Sequence, residues 1–105
     1  MTVNGYATAS DTYENTVASG AFWDVTIETR GYRTITVGID TLVNVNVWVY
    51  WRVGSDTGVD YLLESYTTSE RVLKTYDVAG QSMKITIFNS SPAAETVWVD
   101  YYLTA

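Results

Sequence analysis

Apolar and polar residues alternate with a period of two over most of the chain, the spacing of β-strands that bury one face and expose the other. The alternation is clearest from Val43 to Val53. There Val43, Val45, Val47, Val49, Trp51 and Val53 share one face, and Asn44, Asn46, Trp48, Tyr50 and Arg52 the other. The same period sets Trp23, Val25 and Ile27 against Phe22, Asp24, Thr26 and Glu28, and Ile35, Val37 and Ile39 against Thr34, Thr36, Gly38 and Asp40. Tyr61 to Tyr66, Val72 to Tyr76, Met83 to Phe88 and Thr96 to Leu103 add four strands, and an extended stretch from Thr12 to Val17 supplies an eighth. The breaks carry turn residues, among them Ser19-Gly20, Arg30-Gly31, Gly54-Ser55-Asp56-Thr57-Gly58 and Asn89-Ser90-Ser91-Pro92. A break every 8 to 12 residues or about that is the mark of an antiparallel sandwich or barrel. The expected core is the apolar parity: Val25, Ile27, Ile35, Val37, Val45, Val47, Val49, Ile85, Ile87, Val97 and Val99.

Residues 1–20 break the pattern, being small and polar with Tyr6 and Tyr13 as their only large side chains. They read as an N-terminal arm or edge segment in front of a sandwich domain at 21–105. An arm with so little to bury needs an outside compensation for its ordering entropy, roughly 1 to 2 kcal/mol per residue. The expected source is another chain, with strand addition along a sheet edge and Tyr6, Tyr13 and Val17 as anchors.

Composition narrows the function. The 105 residues contain no His and no Cys, which removes the usual general base, thiol nucleophiles, zinc–thiolate sites and disulfides. Twelve acidic residues against six basic ones give a net charge of -6, a poor match to a phosphate backbone, so no nucleic-acid partner is expected. The N-terminal residues lack a cationic stretch followed by an apolar run, and nothing reaches the roughly 20 apolar residues of a membrane helix. The expectation is a soluble protein made in the cytosol, with export also open and no membrane partner.

Candidate chemistry is sparse. The acids stand singly, with Asp11, Asp40, Asp56, Asp60 and Asp77 at strand ends where Asp supports turns, and a glycosidase needs two facing each other across a cleft. The loop Asp56-Thr57-Gly58-Val59-Asp60 offers oxygen ligands suited to calcium but reads as a hairpin turn with Gly58 at positive φ. Asn89-Ser90-Ser91 matches a glycosylation sequon and reads as a turn. No catalytic residue, cofactor or metal ligand is assigned, and the chain is expected not to be an enzyme.

The strongest feature is the outward parity. With the Val-rich face inward, Trp48, Tyr50, Phe88, Trp98 and Tyr102 point out, and apolar surface of that extent on a soluble protein marks an interface or a ligand platform. Covering by the chain's own arm is the structural alternative. As a ligand platform the rings would stack on sugars, with Asn44, Asn46, Arg52 and Asp100 taking hydroxyls.

The runs Gly31-Tyr32-Arg33-Thr34-Ile35-Thr36-Val37, Leu62-Leu63-Glu64-Ser65-Tyr66, Lys74-Thr75-Tyr76-Asp77-Val78-Ala79-Gly80 and Thr96-Val97-Trp98-Val99-Asp100 resemble small β-sandwich proteins of tailed phages and related prokaryotic viruses in strand rhythm and turn style. Those proteins decorate capsids or form accessory virion parts, often as trimeric jelly rolls. The resemblance implies a jelly-roll-like sandwich, a homo-oligomer with a trimer favoured, a larger assembly such as a capsid as partner, and a place on the virion surface. The alternative on the same fold is a carbohydrate-binding module using the surface Trp and Tyr.

Overall fold

The computed structural model describes residues 2–3, 6–54 and 59–105, with side chains in 8–54 and 59–105. Among them are nine strands and no helix: β1 Thr2–Val3, β2 Tyr6–Val17, β3 Phe22–Glu28, β4 Thr34–Asp40, β5 Val45–Arg52, β6 Asp60–Thr68, β7 Val72–Asp77, β8 Ser82–Asn89 and β9 Glu95–Thr104. They form two antiparallel sheets, ordered β1-β2-β9-β4-β7 and β3-β8-β5-β6. From β2 onward the chain crosses to the other sheet at every connection except β5 to β6, which pair within one sheet. That is the eight-stranded jelly roll with a two-residue strand added at one edge.

Strands with one apolar face are stable only when a second layer covers it. All eleven residues of the expected core are buried, joined by Val17, Ile39, Trp51, Met83 and Leu103. Val53, placed on the core face by its parity, follows the last residue of β5 and is exposed.

The expected arm is a strand of this sandwich. β2 pairs with β9 from Thr8 opposite Thr104 to Val17 opposite Glu95, Val17 lies in the core, and Tyr13 stacks on Tyr101 with ring centroids 6.0 Å apart. Within the chain Val17 packs into the core and Tyr13 against Tyr101, and the side chain of Tyr6 lies outside the described residues. Main-chain pairing with β9 satisfies the N–H and C=O groups along one side of the segment. The Thr12 hydroxyl adds a hydrogen bond to Asp100 Oδ1 at 2.7 Å, and the Thr16 and Thr96 hydroxyls meet at 3.2 Å. The ordering is therefore compensated by polar pairs and ladder bonds, which leave no apolar alternation to read.

Two polar clusters finish the sandwich. Between edge strands β6 and β7, Lys74 Nζ donates to Glu64 Oε1 at 2.6 Å and lies 4.3 Å from the Tyr66 ring centroid. That bond from Lys74 holds the Glu64 carboxyl below its ordinary range. Burial, aided by the Glu64 charge, pushes the Tyr66 hydroxyl up to about 12. Burial also raises Tyr76, whose hydroxyl donates to Glu64. At one end of the molecule Asn89 is fully buried: its Nδ2 donates to the carbonyls of Val17 and Ala93, both at 2.9 Å, and its Oδ1 accepts from Ser91 N at 2.9 Å. The residue that opens the sequon is thus a structural clamp with its amide fully engaged.

Candidate functional site

Strand parity fixes which side of its own sheet a residue occupies, and the topology fixes which sheet that is. β5 and β8 belong to the four-stranded sheet and β9 to the five-stranded one. Trp48, Tyr50 and Phe88 therefore lie on one outer face of the molecule, and Trp98 and Tyr102 on the opposite one. The single platform expected from the sequence is two surfaces with the core between them.

On the four-stranded face the register sets Phe22 beside Phe88, Phe88 beside Asn46 and Asn46 beside Thr67. The next row runs Asp24, Thr86, Trp48 and Ser65, and the third Thr26, Lys84, Tyr50 and Leu62. Phe22 packs on Phe88 with centroids 4.7 Å apart and on Trp48 at 6.2 Å, both tilted, a geometry that suits aromatic quadrupoles. Phe22 nevertheless stays 64% exposed, and Leu62 is exposed further along the face. Phe22 was not among the expected platform residues, although its outward parity at the start of β3 is the same signal that marked Trp48.

Polar groups border the rings. Lys84 Nζ lies 3.3 Å from Asp60 Oδ2 and 4.0 Å from Asp24 Oδ2, and 5.5 Å from the Tyr50 ring centroid. The Thr86 hydroxyl donates to Asp24 at 2.7 Å, and Arg52 pairs with Asp60 at 3.2 Å. An apolar centre with a charged border is the anatomy of a protein interface. On the far side of Trp48, Asn46, Ser65 and Thr67 line a shallow groove of about 330 Å³, where the Thr67 hydroxyl donates to Asn46 Oδ1 at 2.9 Å.

On the five-stranded face the rings are separated. Asp100 stands between Trp98 and Tyr102 along β9, next to Gly38 of β4, and Tyr102 is exposed. Among the described residues no group of three or more acidic side chains is placed to hold a metal ion. Residues 55–58, most of the loop with calcium-type ligands and its Gly58 turn, lie outside the described residues.

No family model matches this sequence, and no curated protein matches it. Solved structures share its fold. A structure described as PirA superposes with a TM-score of 0.61 at 14% identity, over 86% of this chain and 92% of the other. A protein of Bacillus endospore appendages, described as disulfide-linked pili, superposes at 0.59 with 16% identity, over 94% of this chain and 86% of the other. A carbohydrate-binding module, CBM4, superposes more loosely, at a TM-score of 0.45 with 16% identity over 94% of this chain and 69% of the other. None of these three is described as a phage decoration protein. At such identities the likeness establishes a small antiparallel β-sandwich.

Proposed function

We propose that this chain is a non-enzymatic structural subunit that associates with copies of itself through the outer face of its four-stranded sheet, building a larger particle or filament surface such as that of a virion. The observation that carries this reading is the ring cluster of Phe22, Phe88 and Trp48, held rigidly on paired strands yet open to solvent at Phe22. Large aromatic side chains lose little entropy on association and dominate interface energetics. The resemblance to virion accessory proteins and the pilus-forming neighbour both support an assembling role. Disulfide linkage, the chemistry named for that neighbour, is closed to a sequence without Cys, so the contact proposed here is noncovalent.

Sedimentation velocity over a range of concentrations tests this. The wild-type chain is expected to sediment as a multiple of 11.7 kDa, and a folded Phe22→Ser/Trp48→Ser variant as the single chain. A wild-type protein that stays single throughout, or a folded variant with an unchanged mass, overturns the reading.

The groove beside Trp48 favours a glycan as the second reading, because Asn46, Ser65 and Thr67 supply uncharged polar groups beside a half-buried indole. Glycan-array binding by a monomeric protein, abolished by Trp48→Ala, would put this reading first.

A further inference from the structure

The five-stranded face carries a feature that the proposed assembly surface does not use. Gly38 sits in mid-strand of β4, opposite Asp100 of β9 and Leu73 of β7. Its missing side chain leaves an open slot of about 410 Å³ lined by these residues together with Asp40 and Arg71. Leu73, 74% exposed, is an apolar wall. Asp100 Oδ1 is taken by the Thr12 hydroxyl, while Oδ2 lies 3.9 Å from where a Gly38 Cβ would stand and so faces the slot. At the rim Asp40 pairs with Arg71 at 3.3 Å, so two carboxylates meet one cation. The slot suits a side chain with an apolar stem and a positive head.

The chain carries six Lys and Arg residues, and five are committed: Arg30 to Glu28, Arg52 to Asp60, Arg71 to Asp40, Lys74 to Glu64 and Lys84 to Asp60. Arg33 has no carboxylate partner among the described residues. Its position is rigid, because its N–H donates to the Thr104 carbonyl and its own carbonyl accepts from Val78 N, both at 2.7 Å, and its side chain is exposed. Four residues of β4 lie between it and Gly38, so the two are five strand steps or about 17 Å apart, beyond the reach of its own side chain.

We infer that Arg33 of one copy inserts into the Gly38 slot of a second copy, its guanidinium on Asp100 Oδ2. Donor and slot lie at different places on the molecule, so the contact is heterologous and either closes into a ring or runs on as a filament. The inference rests on the proposed self-association but on a different surface from the rings.

Charge exchange in the full chain tests it by sedimentation velocity, with circular dichroism to confirm folding. Arg33→Glu and Asp100→Lys should each weaken association by about tenfold or more, the scale for breaking a desolvated charge pair. The double variant Arg33→Glu/Asp100→Lys should recover it, and so should an equimolar mixture of the two single variants, in which each slot meets a complementary head. Asp100→Asn, the mildest change, should weaken association in the same direction, and Gly38→Val should do so by filling the slot. Single variants that associate like wild type, or single variants that weaken while neither the double variant nor the mixture recovers, overturn the inference and leave the aromatic-face reading standing. A wild-type chain that remains single overturns both.

Discussion

Phe22 and Phe88 face each other across the β3–β8 register with ring centroids 4.7 Å apart, yet both point away from the core. Their neighbours in the same two strands, Val25, Ile27, Ile85 and Ile87, point inward and are buried. The strand pair thus has two apolar faces, one covered by the opposite sheet and one covered by nothing in the described chain.

The covered face sets the stability. Ile85→Ala, in a strand paired on both sides and fully buried, should cost roughly 2 to 5 kcal/mol through lost transfer energy and the cavity left behind. Glu28→Ala, at an exposed position held only by a solvent-facing ion pair with Arg30, should stay within about 0.5 kcal/mol. Urea midpoints at constant m-value report both.

Two glycines should separate sharply. A Cβ on Gly80 would stand 2.7 Å from the Arg52 carbonyl oxygen and 3.2 Å from Trp51 Cε3, and that carbonyl is already fixed by the Gln81 N–H at 2.8 Å. Gly80→Ala should lose roughly 1 to 3 kcal/mol by overpacking. Gly38→Ala meets only Leu73 Cδ1 at 3.5 Å and the Asp100 side chain beyond it, so its thermal midpoint should match wild type or exceed it slightly.

Asn89→Ala should be among the costliest polar substitutions. It strips hydrogen bonds from the Val17 and Ala93 carbonyls and from Ser91 N in a buried site, at about 1 kcal/mol or more each, or roughly 3 kcal/mol in total. Equilibrium unfolding measures the loss. Mass spectrometry of protein passed through a glycosylating pathway should show the folded chain unmodified at this residue.

The β6–β7 edge should set both ends of the pH range. Glu64 is depressed in the folded state, so its contribution is present above its ordinary pKa of 4.5 and lost as pH falls through the lower folded value. Glu64→Gln should therefore flatten the acid side of a stability curve. Tyr66 and Tyr76 are raised, so their contribution is present below pH 10 and lost as pH rises through their folded values, about 12 for Tyr66. Spectrophotometric titration at pH 11 should find Tyr66 and Tyr76 still protonated until the chain unfolds.

What the sequence made legible was local. The period of two located β3 to β9 and, in β3, β4, β5, β8 and β9, the buried faces, because inward Val and Ile on paired strands leave a strict alternation. Of β2 it revealed only the end, Thr12 to Val17, because the strand's inward parity runs through Asp11, Tyr13 and Asn15, all exposed, and its stability comes from a ladder to residues about eighty or ninety positions away. Nor did it place Trp48 and Trp98 correctly. Parity says that each points out, but only the crossing order of the jelly roll puts them on opposite sides. The Gly38 slot was hidden for the same reason, since it is made by Leu73 and Asp100 on two other strands.

Hydroxyl-radical footprinting of the wild-type protein, comparing concentrations above and below its association range, tests most directly whether the outer face of the four-stranded sheet is the working surface. Phe22, Phe88, Trp48 and Tyr50 should become protected together on association. Associated protein in which those four rings react as readily as in the single chain would contradict it.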